Sequence, residues 1–390
     1  MKTIKLKQRA AQHVKSGNPL LIEGDILNTK DIVFGEIVEV VDAKSGAFLG
    51  KALLGQQNKG VGWMLTTKSS ETLDAKFLER LLTNAKQKRQ SFFASSKIDA
   101  FRLFNGESDG LGGLTIDVYK HALVISFYSQ AIFTYRQFIF DALKIVMSGY
   151  SIFEKCRFEQ APYDTNHVFG KDNEQFIIQE NESRFNVHLN DGLMTGVFLD
   201  QRDVRDYVRR HAKNKTVLNT FSYTAAFSVA AALGGALKTV SVDVAKRSIE
   251  LSTQQFNVNA LSLENHAFYV MDVFDYFKYA RKKGETFDMV VLDPPSFART
   301  KKRTFSVLKN YGELLEDAIH LTNVGGEIIV STNASNWKRD DVLRMIDETF
   351  TRLNRKYAIN AEFKQPTDFT TLKTLPSTQY LKVFVVKVVA

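Results

Sequence analysis

The stretch Phe287-Asp288-Met289-Val290-Val291-Leu292-Asp293-Pro294-Pro295-Ser296-Phe297 constrains the fold of this chain more than any other. Its Met, Val and Leu run reads as a strand buried on both faces, as in a parallel sheet. Proline cannot donate to a sheet ladder, so the strand stops at Asp293. Pro294 biases Asp293 toward extended backbone, and the proline pair stiffens the loop that follows. The consequence is a carboxylate and a rigid loop at the carboxyl end of a central strand, the edge where open α/β sheets bind ligands.

From about residue 215 onward, short β-branched runs alternate with helical stretches. The candidate strands are Thr216–Phe221, Thr239–Asp243, Ala267–Asp272, Phe287–Asp293, Glu327–Thr332, Ala358–Phe363 and Gln379–Val388. Helical patterns fall at Tyr223–Leu233, Lys246–Asn259, Val273–Lys283 and Asn310–Leu321, while a polar loop joins the last two strands. The alternation predicts an α/β fold with a doubly wound parallel sheet, and the loop-joined pair predicts one antiparallel strand at its end. Asp243, Asp272 and Asp293 each close a candidate strand. An acid at the end of the second strand is placed to accept hydrogen bonds from ribose hydroxyls. The alternative use for any one of them is a helix N-cap, which Asp favours.

The formal charge of +9 favours a polyanionic partner. Arg299-Thr300-Lys301-Lys302-Arg303 follows the Asp-Pro-Pro loop, so Arg299, Lys301, Lys302 and Arg303 are candidates to pair with RNA phosphates. A single cysteine, Cys156, excludes an internal disulfide framework and suits a reducing, cytoplasmic setting. The seven His are scattered without Cys/His spacing for zinc, so no metal is expected. No apolar stretch is long enough to span a bilayer, and no membrane partner is expected. The segment before residue 74 is rich in short β runs, with Ser45-Gly46 bending one strand pair over Gly35–Ala52. A helix over Leu73–Phe93 follows, then the glycine-rich span Asn105-Gly106-Glu107-Ser108-Asp109-Gly110-Leu111-Gly112-Gly113, a tight turn before a strand.

Asp-Pro-Pro followed by an aromatic resembles the substrate-side motif of class I S-adenosylmethionine (SAM) methyltransferases that act on nucleic-acid bases. Leu218-Asn219-Thr220-Phe221-Ser222-Tyr223-Thr224-Ala225-Ala226-Phe227 resembles a signature that usually reads Asp-Leu-Phe-Ser-Tyr-Thr-Gly-Gly-Phe; here the acid is Asn219 and the glycines are Ala225 and Ala226. Residues 1–74 resemble a PUA domain, a small β-barrel that binds structured RNA. The Asn-Gly-Glu-Ser-Asp-Gly span and Asp191–Arg202, ending Phe198-Leu199-Asp200-Gln201-Arg202, resemble signatures of a bacterial family of 23S ribosomal RNA large-subunit methyltransferases. That resemblance implies three segments: a PUA-like domain over 1–74, a mixed α+β central domain over 75–185 and a seven-stranded, Rossmann-like methyltransferase domain over 186–390. It implies SAM as cofactor, ribosomal RNA as partner, and cofactor contacts from Gln201, Arg202, Asn219, Phe221, Ser222, Tyr223, Thr224, Asp243, Asp272, Val273 and Asp293. The oligomeric state stays open, a homodimer included.

The target atom divides the readings. Cytosine-C5 enzymes of the resemblance attack the ring with a cysteine thiolate, and no cysteine follows the fourth or fifth strand here. Ser331-Thr332-Asn333 instead resembles the Ser-Asn-Asn segment of related guanine-N7 enzymes. Guanine N7 already carries a lone pair, so transfer there needs positioning and a shaped electrostatic site. On that reading Asp293 and Asn333 hold the base edge and Phe297 stacks on it, with Pro294 a further catalytic candidate. Adenine N6 is a further option, although Ser296 separates the second proline from the aromatic. Asn219, Ala225 and Ala226 also leave open a catalytically inactive RNA-binding or ribosome-assembly factor with a relict fold.

Overall fold

Every side chain from Met289 to Leu292 is fully buried in the computed structural model, which describes residues 1–58, 60–172, 175–299 and 304–389. The chain divides into two units. One comprises Met1–Phe176, His188–Thr195 and Thr367–Thr378; the other comprises Ile177–Val187, Gly196–Pro366 and Gln379–Ala390.

The second unit holds the expected α/β sheet. Its strands are β1 (Thr216–Thr220), β2 (Lys238–Asp243), β3 (His266–Val270), β4 (Phe287–Leu292), β5 (Thr322–Thr332), β6 (Tyr357–Phe363) and β7 (Lys382–Val388). They lie in the order β3-β2-β1-β4-β5-β7-β6. The first five run parallel, and β7 runs antiparallel to both β5 and β6. This is the fold of class I SAM methyltransferases.

Side chains of a strand alternate between faces, and both faces here are buried. Leu218, Val290 and Val330 join one cluster with Phe274 and Phe277 of helix α4 (Val273–Lys283), Leu314 of α5 (Val307–Leu321) and Ile346 of α6 (Arg339–Arg352). Their neighbours Val217, Val291 and Ile329 join the other, with Val204 and Val208 of α1 (Arg202–His211) and Ala231 of α2 (Ala226–Leu233). Fully burying one such aliphatic side chain stabilises by about 1.5–3 kcal/mol.

The boundaries differ from the sequence expectation where backbone chemistry intervenes. The third strand ends at Val270, because Asp272 turns out of the sheet and caps α4 by accepting from Phe274 N–H at 3.0 Å. The helix expected from Tyr223 begins only at Ala226, since Phe221, Tyr223 and Ala225 all adopt left-handed backbone. The helix α6, absent from the expected set, buries Val342, Ile346, Thr349 and Phe350 on one face.

In the first unit, a mixed five-stranded sheet takes the order Thr3–Leu6, Ile37–Asp42, Phe48–Gln57, Gly60–Thr66, Leu20–Ile22. An antiparallel bridge between Leu6 and Ile26 ties its first edge to the chain leaving its last, in the manner of a small barrel. A second five-stranded sheet runs Thr165–Phe169, Ser151–Cys156, Ala122–Phe127, Leu114–Tyr119, Ala100–Asn105. The helix expected over Leu73–Phe93 is two pieces, Ala75–Lys88 and Gln90–Phe93. Arg89 between them is fully buried and forks onto Asp109 of the glycine-rich span at 2.8 and 2.6 Å.

One buried pair ties α1 to the strand pair before it. The Arg205 guanidinium donates to both Glu180 oxygens, at 2.7 and 2.6 Å, with the two side chains 3% and 4% exposed. Replacing Arg205→Met leaves Glu180 buried without its counter-charge, a change that costs about 3–5 kcal/mol. Chemical denaturation should therefore show a large loss for Arg205→Met, most of it recovered when Glu180→Leu is added. Equal losses in the single and double variants would contradict this account.

Candidate functional site

The turn after β1 is built from unusual backbone. Phe221, Tyr223 and Ala225 have φ of 51°, 51° and 61°, a conformation that costs an L-residue roughly 1–2 kcal/mol. Such strain persists where the surroundings over-determine it. Here the Ser222 N–H donates to Val242 O at 3.0 Å, extending the β1–β2 ladder, and the Ala225 N–H closes a turn onto Ser222 O at 2.7 Å. Thr224 is 1% exposed and its hydroxyl donates to Gly196 O at 2.6 Å. Gly196 itself has φ of 107°, and a Cβ there would come 3.0 Å from Asn186 O. Ala225 thus takes the left-handed conformation that suits glycine, whereas Ala226 is an ordinary first helical residue. Asn219 points elsewhere: its amide donates to Ser228 Oγ at 3.1 Å, Ser228 meets Ser241 at 2.7 Å, and all three are buried.

Asp243 braces this turn from the end of β2. One oxygen accepts from Tyr223 N–H at 2.8 Å and the other from Ala245 N–H at 2.9 Å. Each carboxylate oxygen carries a second lone pair that a ligand hydroxyl can use. Asp272 keeps one oxygen on its helix cap, and Val273 beside it is buried. For Asp272 the N-cap and ligand-acceptor uses are therefore compatible.

Asp293 is held at the carboxyl end of β4 by two neighbours. Ser331 of β5 donates its hydroxyl to Asp293 Oδ1 at 2.7 Å, and Gln201 Nε2 donates to the same oxygen at 3.1 Å and to Ser331 Oγ at 2.9 Å. Burial pushes the Asp293 carboxyl up to about 6, and the Asp200 charge adds to the rise; Ser331, Arg205 and Gln201 oppose it. Beneath it the Tyr311 hydroxyl lies 3.0 Å from Leu292 O and 2.9 Å from Ser331 O, with its own pKa raised by burial and by Asp293. Gln201 Oε1 is buried with no hydrogen-bond partner among the described residues. A buried acceptor without a donor costs about 1–3 kcal/mol, so the position suits a ligand that brings an N–H. Carboxylates at the ends of β2 and β4 and this amide oxygen together fit SAM, a cation with hydroxyl and ammonium donors.

On the substrate side, Pro294 is buried and Phe297 is 64% exposed. Phe297–Arg299 pairs antiparallel with Thr304–Ser306, a small hairpin whose Phe305 packs against Phe221 and Phe274 at 6.2 and 6.1 Å between ring centres. Ser296 donates its hydroxyl to Asn333 Oδ1 at 2.6 Å, so the Asp-Pro-Pro loop fixes the Asn333 amide. Arg299 is exposed, whereas Lys301, Lys302 and Arg303 lie outside the described residues. Arg202 is 2% exposed, with its Nε 3.9 Å from Asp203.

Three residues of this neighbourhood escape the sequence reading. Ser331 lies in the Ser-Thr-Asn segment, yet nothing in its spacing announces the bond to Asp293. Ser296, read as an interruption of the motif, orients Asn333. Lys382 of β7 donates to Ala334 O at 2.7 Å and Tyr380 O at 2.8 Å, pinning the loop after β5, and burial lowers its pKa to about 8. No helix among the described residues is long and apolar enough to cross a membrane.

Comparison with known proteins places the chain in a family. Residues 148–375 match the family model of S-adenosylmethionine-dependent methyltransferases, and residues 4–67 match a PUA-like domain. The chain is 48% identical over 393 residues, 98% of each chain, to a provisionally named ribosomal RNA large subunit methyltransferase, YwbD, of Bacillus subtilis. It is 31% identical over 360 residues, 91% of each chain, to ribosomal RNA large subunit methyltransferase I of Escherichia coli K12. Among solved structures, SMU.776, provisionally named a methyltransferase and complexed with SAH, superposes with a TM-score of 0.93 at 41% identity, covering 99% of this chain and 100% of that one. The chain belongs to the S-adenosylmethionine-dependent methyltransferase family, as a PUA-containing homologue of the ribosomal RNA large subunit methyltransferases.

Proposed function

We propose that this methyltransferase modifies a base of large-subunit (23S) ribosomal RNA without a covalent enzyme–RNA intermediate, and that the acceptor is guanine N7. The observation that carries the reading is the pairing of Asp293, held by Ser331 and Gln201, with an Asn333 amide oriented by Ser296 and an exposed Phe297. Ser296 holds Asn333 Oδ1, which orients the Asn333 Nδ2 donor toward a base, and guanine offers O6 and N7 acceptors on one edge. Phe297 supplies a stacking surface for a base. Pro294 holds the backbone of Asp293 in place. The chain's one thiol, Cys156, is buried in the first unit, and burial with the Glu154 charge pushes it up to about 11, so at neutral pH it carries almost no thiolate.

When bound, SAM supplies an electrophilic methyl group on a sulfonium. In the proposed site Asp243 accepts from its ribose hydroxyls, and Asp272 and Val273 take the adenine. Gln201 Oε1 meets its ammonium, with Arg202 and Asp293 on the same side. The strained turn of Phe221, Ser222, Tyr223 and Thr224 shapes the pocket wall, and Asn219 acts indirectly, through Ser228. Arg299, with Lys301, Lys302 and Arg303, pairs with phosphates of the RNA, and the PUA-like segment within 1–74 binds structured RNA. Segments 75–185 and 186–390 serve as the central and catalytic domains.

Isothermal titration with SAM should show Asp243→Ala and Asp272→Ala each weakening binding by roughly 1–3 kcal/mol, the worth of a lost hydrogen bond to a charged group. Affinity unchanged in both variants would remove these acids from the cofactor site.

Methylation of large-subunit ribosomal RNA by the purified chain, followed by nucleoside mass spectrometry, should yield 7-methylguanosine. RNA carrying 5-fluorocytosine, which traps cysteine-dependent C5 enzymes, should give no covalent complex, and Cys156→Ala should keep its rate. Asn333→Ala should lower turnover with little change in SAM affinity. A fluorocytosine adduct or 5-methylcytidine as product would overturn the guanine assignment.

A further inference from the structure

The first unit contains a cavity of about 470 Å³ that none of the residues discussed above as cofactor or base contacts lines. It lies between the end of the helix Arg136–Val146 and the edge strand Thr165–Phe169. Its size falls in the range of small-ligand sites. Three aromatic rings, Tyr150, Phe169 and Phe176, and three basic side chains, His121, Lys144 and Lys171, line it, and no carboxylate among the described residues does. Phe169 is 45% exposed, and the Lys144 ammonium sits 5.0 Å from its ring centre. Gly170, at φ of 87°, turns the chain at this rim; a Cβ there would lie 2.7 Å from Ser151 Oγ, so only glycine fits. The Ser151 hydroxyl accepts the Lys171 N–H at 3.0 Å and fixes the same turn.

We infer that this cavity of the central segment is a second RNA contact, which takes one unpaired nucleotide with its base against Phe169 and its phosphate between Lys144 and Lys171. Aromatic faces accept any base by stacking, and lysines at the rim supply the charge that tracks the backbone. An apolar ligand would leave the two lysines unused, Lys144 having only the half-exposed Asp141 at 3.5 Å, and an acidic peptide would leave the exposed ring unused. A phosphate joined to a planar ring satisfies both. The inference rests on the reading of the chain as an RNA methyltransferase, and it adds a holding point remote in sequence from the Asp293 loop.

The test uses the full chain and fluorescence anisotropy with a labelled single-stranded hexanucleotide, with adenosine monophosphate as competitor. Phe169→Ala should weaken the hexanucleotide at least about fivefold, and Phe169→Trp should restore it. Lys144→Gln with Lys171→Gln should flatten the dependence of affinity on salt by about 0.7 in log–log slope for each phosphate that no longer meets a lysine. SAM affinity, measured alongside, should stay unchanged in all variants, which shows that they fold. Wild-type oligonucleotide affinity in Phe169→Ala and in the double lysine variant would overturn the inference while leaving the methyltransferase reading intact. Adenosine monophosphate binding more tightly than the hexanucleotide would make the cavity a free-nucleotide site and overturn the RNA assignment. Absence of methyl transfer to ribosomal RNA in the unmodified chain bears on the methyltransferase reading alone, since oligonucleotide binding is read independently.

Discussion

The site depends on keeping one carboxylate at the end of β4 while surrounding it with protein. Desolvation raises the Asp293 pKa, and two donors, Ser331 and Gln201, recover part of what burial costs. Neither donor carries a charge, so the carboxylate is held by hydrogen bonds and stays protonatable near neutrality. A lysine or arginine in contact would have fixed it as an anion; Arg205 lowers its pKa only through space while its fork is spent on Glu180. The buried pair therefore serves two ends, since it joins α1 to the strand pair before it and sets a positive charge that acts on Asp293.

This arrangement costs stability where the protein works. The folded-state pKa of Asp293, about 6, lies above its ordinary value of 3.8. The proton is therefore bound more tightly in the folded state, and the stabilising contribution is complete below about pH 4 and lost as pH rises through about 6. At pH 8 the deficit is about 3 kcal/mol from a shift of this size. Together with three left-handed non-glycine residues in the turn after β1, it marks the carboxyl edge of the sheet as a place where the fold gives up stability. A bound cation bringing donors to Gln201 Oε1 and Asp293 would recover it, so cofactor binding and folding are linked at this edge.

Most of the second unit was legible in the sequence because its strands are hydrophobic on both faces and end on recognisable punctuation. Val217 and Leu218 enter opposite cores, and Asp293-Pro294-Pro295 stops β4 as proline chemistry requires. What was not legible depends on contacts between residues far apart in the chain. Ser331 reaches Asp293 across 38 positions and Ser296 reaches Asn333 across 37, and no local pattern encodes either. Asn219 looked like a displaced cofactor acid, but its partners Ser228 and Ser241 come from α2 and β2 and turn it inward. Ala225 looked like a lost glycine, yet the surrounding hydrogen bonds hold it in glycine's conformation. The helix α6 was legible and escaped notice among the polar residues of its exposed face.

The central claim, that Asp293 at the end of β4 supports methyl transfer without covalent catalysis, is tested most directly by the pH dependence of single-turnover methyl transfer to ribosomal RNA. With SAM well below saturation, so that the unliganded protein is the reference state, the rate should fall as pH drops through about 6, the pKa to which burial raises Asp293. Asp293→Asn should be slower at every pH and should lack that acid limb. A rate independent of pH between 5 and 8, or an acid limb that persists in Asp293→Asn, would contradict the account.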